Sequence, residues 1–229
     1  GYSDSLMMSS IKHFPGHGDT AVDSHIGLPV VDFDEKRLYE MELKPFIKAK
    51  ELDLPGIMVS HVMFTKYDDK YPATLSKKLV QGLLRDEIGY DGLVVTDSLT
   101  MKAVFNNYTL EEIVLNGFNS GDDILLLCGA RDIKLQTDFY ETAIRLVKEG
   151  KISEAKIDES VARILKYKEQ YIREMDENFD CIKGQLCEKN AVELSEKVSL
   201  DSITLIDDSK KLLPLKKEEK VLIVFPKIQ

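Results

Sequence analysis

Lys12 to His25 reads KHFPGHGDTAVDSH. Three of the chain's four histidines (His13, His17, His25), two aspartates (Asp19, Asp23) and two glycines (Gly16, Gly18) fall within these fourteen positions. A core segment has no use for titratable groups at that density. The apolar run before it, Leu6-Met7-Met8-Ser9-Ser10-Ile11, reads as a short buried strand, and Pro15-Gly16 breaks regular structure. The polar cluster is therefore expected on a loop leaving the C-terminal end of a strand, where α/β folds build their active sites.

Outward from this stretch the chain alternates strand-like and helix-like segments. Asp34 to Lys50 starts at an N-cap aspartate and carries Leu38, Met41 and Leu43 at roughly helical spacing, with Pro45 as an interruption. Gly56 to Ser60 reads as a strand ending at His61, and Ser76 to Ile88 as a helix capped by Ser76 with Leu79, Val80, Leu83 and Leu84 as its stripe. Gly92 to Thr96 is a strand ending at Asp97, Thr109 to Phe118 a helix, and Asp123 to Leu127 a strand. Arg131 to Glu149 is expected to bury Ile144, Leu146 and Val147, and Ser153 to Tyr171 to bury Ile157, Val161, Ile164 and Leu165. The strands are apolar without alternation, as in a parallel sheet covered on both faces. The fold class is α/β, with about four strand-helix units, half of the eight that close a (β/α) barrel.

After about Glu174 the character changes. A polar, cysteine-bearing connection leads to a helix-like Ala191 to Val198, strand-like Ile203 to Ile206, a lysine-rich turn and a final strand Val221 to Phe225. Residues 1–178 are thus expected to form the half-barrel, and 179–229 a linker with the truncated start of a second α/β domain. Of the cysteines, Cys128 reads as a buried thiol, while Cys181 and Cys187 could pair in an oxidising compartment.

With 43% hydrophobic residues, the 229-residue chain can build a full core. The formal net charge of -9 and pI near 5.1 exclude a nucleic-acid or anionic-membrane surface. No run approaches the roughly 18 to 20 apolar residues of a membrane span, and the N-terminus has no signal-peptide pattern. A neutral or small polar substrate is the expected partner. Localisation stays open between the cytoplasm and the cell envelope.

KHFPGHGDTAVDSHIGLPVV (Lys12 to Val31) resembles the signature of family 3 glycoside hydrolases in their β-N-acetylglucosaminidase branch. Pro72-Ala73-Thr74-Leu75-Ser76 and GYDGLVVTDSLTM (Gly89 to Met101) match two further motifs in the right order, and SITLIDDSKKLLPL resembles the family's passage into a second domain. The resemblance implies the C-terminal half of a TIM-like barrel. It implies Asp97 as nucleophile and His25, oriented by Asp23, as acid/base, since a glycosidase needs a proton donor for the leaving oxygen and a base for water. It implies Lys12 and His13 as sugar-binding groups; His61, at another strand end, is a further pocket candidate, and His17 and Asp19 shape the loop. Gly16, Gly18 and Gly27 suggest a loop that closes over substrate. The implied reaction is exo-hydrolysis of terminal β-linked N-acetylglucosamine from peptidoglycan fragments or chitooligosaccharides, with no cofactor; the isolated chain would be weakly active or inactive. Phosphorolysis in place of hydrolysis is the enzymatic alternative. A metal site using His13, His17, Asp23 and His25 is disfavoured, because Pro15-Gly16 prevents a helix that would align His13 with His17. The third reading is an inactive assembly module, whose open sheet edges recruit a second copy or the missing half-barrel.

Overall fold

The computed structural model describes residues 7–128, 133–172, 189–217 and 219–224. The chain divides into two compact units, Gly1–Arg173 and Glu174–Gln229.

In the first unit β1 (Ser10–Phe14), β3 (Gly56–Val59) and β5 (Leu93–Thr96) form a parallel sheet in the order β1-β3-β5, and β2 (Val30–Val31) pairs with β4 (Met63–Phe64), also in parallel. Its helices of eight or more residues among the described ones are α1 (Lys44–Glu51), α2 (Lys78–Glu87), α3 (Leu110–Ser120), α4 (Ile133–Lys148) and α5 (Glu154–Tyr171). Parallel strands connected through helices, each beside the previous one, are how a (β/α) barrel wall is laid down. Ile57, Val59 and Val94 of the sheet share one core with Phe14, Phe46 and the expected α2 stripe of Leu79, Val80, Leu83 and Leu84. Leu99, Val104, Ile113, Val114, Phe139 and Leu146 build a second. Helix α3 starts on a capping box, Thr109 and Glu112 satisfying each other's backbone N–H groups.

Several expectations need correction. The first strand lies at Ser10–Phe14 rather than Leu6 to Ile11: Met7 and Met8 are exposed, while Phe14 is buried edge-on against Phe46, so the strand carries Lys12 and His13 within it. The interruption expected at Pro45 is present but falls at Leu43: Asp34 caps Glu35–Arg37, Leu38–Glu42 follows, and Pro45 stands in the first turn of the separate helix α1, where its missing N–H costs nothing. Asp123 to Leu127 runs beside β5 without becoming a strand. Thr96 N–H bonds Ile124 O at 2.9 Å, but the Leu126 N–H goes to the Thr96 hydroxyl at 2.9 Å instead of to a backbone carbonyl. Ile144, Val161 and Leu165 are exposed. The face that α5 turns inward carries Arg163, whose guanidinium reaches Asp123. Cys128 is an exposed thiol, not a buried one. Cys181 and Cys187 lie outside the described residues.

The second unit contains α6 (Lys189–Asp201), longer at both ends than Ala191 to Val198. Ile203 to Ile206 and Val221 to Val224 are exposed and form no strand among the described residues, and Phe225 lies outside them. A strand needs a neighbour to satisfy its backbone groups, and neither segment pairs with one among the described residues. No helix among the described residues is long and apolar enough to cross a membrane.

Candidate active site

The sheet delivers three polar side chains to one end. Asp97 follows β5, and its N–H bonds Val59 O at 3.2 Å. One carboxylate oxygen, Oδ1, accepts the Ser98 N–H at 2.7 Å. The other, Oδ2, lies 3.5 Å from His13 Nε2, and both side chains are 26% exposed. That separation is long for a hydrogen bond, so His13 and Asp97 interact through charge and dipole. Burial lowers the His13 pKa, and the nearby Asp97 charge only partly restores it, so the imidazole is neutral at pH 7.

His61 lies inside the protein, 1% exposed, and donates from Nε2 to Ser98 O at 2.8 Å. Its pKa is also lowered by burial. The ring is therefore neutral, with the proton on Nε2 and a lone pair on Nδ1 that has no partner among the described residues. Ser98 Oγ accepts the Cys128 N–H at 3.1 Å and donates to Cys128 O at 2.9 Å, fastening the Asp97 turn to the segment beside β5.

The Asp23–His25 pair forms as the two-residue spacing suggests. Asp23 Oδ1 accepts both the His25 N–H at 2.9 Å and Nδ1–H of its ring at 2.8 Å, and Asp23 O accepts from the N–H groups of Ile26 and Gly27, closing a turn. The His25 backbone N–H, and then its side chain, hold the Asp23 carboxyl below its ordinary pKa. The pair is open to solvent, with side chains 58% and 75% exposed. Among the described residues no hydrogen bond or ion pair joins it to Asp97 or His13. Lys12 is exposed on β1 and lines a hollow of about 730 Å³ with His13, His17, Asp19, Arg37 and Glu42. No group of three or more His, Cys, Asp or Glu among the described residues is arranged to hold a metal ion.

Sequence reasoning passed over Arg37. Its guanidinium reaches Asp19 at 3.0 Å and Glu42 at 2.8 Å and lies 4.5 Å over the Phe33 ring, clamping the loop's first half. Gly16 sits against this clamp: a Cβ there would lie 2.8 Å from Glu42 Cγ, which the arginine holds in place. His17 and Asp19, expected to shape the loop, do so through Ser24 and Arg37 respectively. Nothing in the spacing of Arg37 sets it apart from a surface helix charge.

Together these groups offer a carboxylate with Oδ1 held by the Ser98 N–H and Oδ2 without a hydrogen bond among the described residues, facing His13, and an imidazole whose remaining nitrogen can carry a proton. The profile described as "Glycosyl hydrolase family 3 N terminal domain" matches residues 1–167. The chain belongs to glycosyl hydrolase family 3. Among its relatives, β-hexosaminidase A of Pseudoalteromonas piscicida is 35% identical over 178 residues, covering 71% of this chain and 30% of that protein. The family 3 β-N-acetylglucosaminidase of Paenibacillus sp. str. FPU-7 superposes with a TM-score of 0.70 at 37% identity, over 77% of this chain and 35% of the other. The β-N-acetylglucosaminidase of Thermotoga maritima gives 0.65 at 39%, over 72% and 36%. The chain thus spans between 30% and 36% of the length of these three family 3 proteins. Its α/β unit with parallel strands is a portion of the family's TIM-like barrel.

Proposed function

We propose that the protein to which this chain belongs is a retaining exo-β-N-acetylglucosaminidase acting on terminal β-linked N-acetylglucosamine in peptidoglycan fragments or chitooligosaccharides. The observation that carries this reading is the half-free Asp97 carboxylate beside neutral His13, in a chain whose Asp23–His25 pair stands ready as a separate proton carrier. Identities of 37% and 39% to solved β-N-acetylglucosaminidases support the substrate class.

Asp97 Oδ1 is taken by Ser98 N–H, which leaves Oδ2 to attack the anomeric carbon. His25 Nδ1 is taken by Asp23, so Nε2 donates its proton to the departing oxygen as the glycosidic bond breaks and a glycosyl-aspartate ester forms. Neutral His25 then accepts a proton from water as the water oxygen attacks the same carbon and Asp97 leaves as a carboxylate. Lys12 and His13 hold sugar hydroxyls, and His61 supports the Asp97 turn from inside. No cofactor enters these steps. The outer edge of β1 takes a further strand, from the rest of the protein or a second copy.

The test is release of p-nitrophenol from its β-N-acetylglucosaminide by the chain extended to the length of its relatives. Activity that falls by roughly 10² or more in both Asp97→Ala and His25→Ala is the expected result. An inactive wild type, undiminished turnover in Asp97→Ala, or turnover that requires phosphate would overturn it.

A further inference from the structure

Asp23 and His25 are open to solvent, yet the residue between them is not: Ser24 is 4% exposed. Two bonds hold it. Its Oγ lies 3.1 Å from His17 Nε2, and its carbonyl accepts the Ala103 N–H at 3.3 Å. Ala103 is fully buried on the short helix Lys102–Phe105, which follows Asp97 in the chain. His17 is itself fixed, with Nδ1 2.9 Å from Thr20 Oγ1 and its ring edge-on to His13 at 6.0 Å between centroids. A closed circuit of contacts therefore runs from Asp97 to His13, to His17, to Ser24, and through Ala103 back to the segment bearing Asp97.

We propose that Ser24, gripped by His17 and by the Ala103 N–H, is a positioning residue that ties the Asp23–His25 pair to the segment carrying Asp97; this rests on the reading of those residues as acid/base and nucleophile. A retaining glycosidase needs its proton carrier and its nucleophile at a fixed separation across the bond being broken. A loop alone cannot supply that, and a misplacement of about 1 Å costs on the order of 10² in rate. Ser24 supplies a fixed point in the chain between the two residues, whose side chains meet at 2.8 Å. Because Ser24 touches no reacting atom, its removal loosens proton transfer and leaves the attack by Asp97 intact.

Leaving-group dependence separates this role from general damage. In the chain extended to the length of its relatives, Ser24→Ala and His17→Ala are expected to lower kcat/KM by about 10- to 100-fold for chitobiose, whose leaving oxygen must be protonated. For the 2,4-dinitrophenyl glycoside, whose leaving group departs without a proton, the first step should fall by less than about 3-fold. Ser24→Thr keeps the hydroxyl and should restore the chitobiose rate. Equal losses on both substrates, or no rescue by threonine, would overturn the proposal. Amide exchange on the 229-residue chain reads the tie without catalysis: the Ala103 N–H should exchange at least about 10-fold faster in Ser24→Ala and His17→Ala than in wild type. Unchanged exchange overturns the tie, whereas a wild type that cleaves neither substrate while exchange responds defeats only the glycosidase reading.

Discussion

His61 illustrates what a buried histidine does when it is neither ligand nor proton carrier. Its Nε2–H satisfies Ser98 O, the carbonyl immediately after the candidate nucleophile, in a place that water does not reach. Replacing it by leucine removes one of that carbonyl's two donors and leaves the Met101 N–H at 3.0 Å, which costs roughly 0.5 to 1.5 kcal/mol. His61→Leu is therefore expected to lower the urea midpoint and, in the active protein, to lower kcat more than it raises KM, because the Asp97 turn shifts. His61→Gln offers an amide N–H to the same carbonyl and should recover most of both losses; equal damage in the two variants would contradict the hydrogen-bond account. At this scale the sequence was informative where the chemistry is local. Asp23 and His25 pair because two residues bring them together, and His13, His61 and Asp97 were placed near strand ends by apolar runs that stop at them. Ser24 and Arg37 were silent because their partners, Ala103 and Asp19, are distant in sequence and only folding brings them near.

Among the elements, β5 carries the most, since it ends in Asp97 and is anchored at its start by charges. Arg85 of α2 donates to Tyr90 O at 3.1 Å and Gly92 O at 2.6 Å, and to Asp123 Oδ2 at 2.7 Å. Asp123 Oδ2 also accepts the Val94 N–H at 2.9 Å, and Oδ1 takes Arg163 of α5. The Asp123 side chain is fully buried and that of Arg85 nearly so. Removing one member of such a network strands the others in low dielectric, at about 3 to 5 kcal/mol. Asp123→Ala should thus lose stability on that scale in urea unfolding, far more than Lys48→Ala, whose ion pair with Glu51 is exposed. A loss below about 1 kcal/mol would mean that the charges are solvated. This network also explains two misreadings. The apolar run Ile124 to Leu127 suggests a strand beginning at Asp123, but it makes a single parallel bridge, Ile124 with Val95, and the Asp123 carboxylate takes the Val94 N–H beside it. The stripe of Val161 and Leu165 suggested the buried face of α5, whereas Arg163 makes that helix's link to the sheet. Periodicity sees apolar side chains and misses a helix fastened by a buried ion pair.

For the first unit as a whole, the pH dependence of stability turns on two buried groups, Asp122 and His61, and the half-buried His13. Burial pushes the Asp122 carboxyl up to about 8, the neighbouring Asp123 charge adds to this, and a hydrogen bond from Ser120 at 2.6 Å only partly opposes it. In the unfolded chain the same carboxyl titrates near about 3.9. Between these values the folded form holds a proton that the unfolded form has released, so Asp122 favours folding fully below about pH 4 and progressively less up to about pH 8. One proton gives a slope of about 1.4 kcal/mol per pH unit. His13 and His61 act in the opposite direction: their folded pKa values are lowered, so stability is lost as pH falls below about 6.5, where the unfolded imidazoles take up protons. Below about 6.5 the two histidines oppose Asp122, and above it Asp122 acts without them. Stability should therefore decline from pH 6.5 toward pH 8. Asp122→Asn imitates the protonated acid: its carbonyl can accept the Ser120 hydroxyl, and its amide replaces Oδ1, which has no partner among the described residues. That variant should show a flat profile from pH 6.5 to 8 in urea unfolding, and equal stabilities with wild type would be reached only at the acidic end. Parallel profiles across that window would show that Asp122 is already ionised in the folded protein, its charge carried by Arg85.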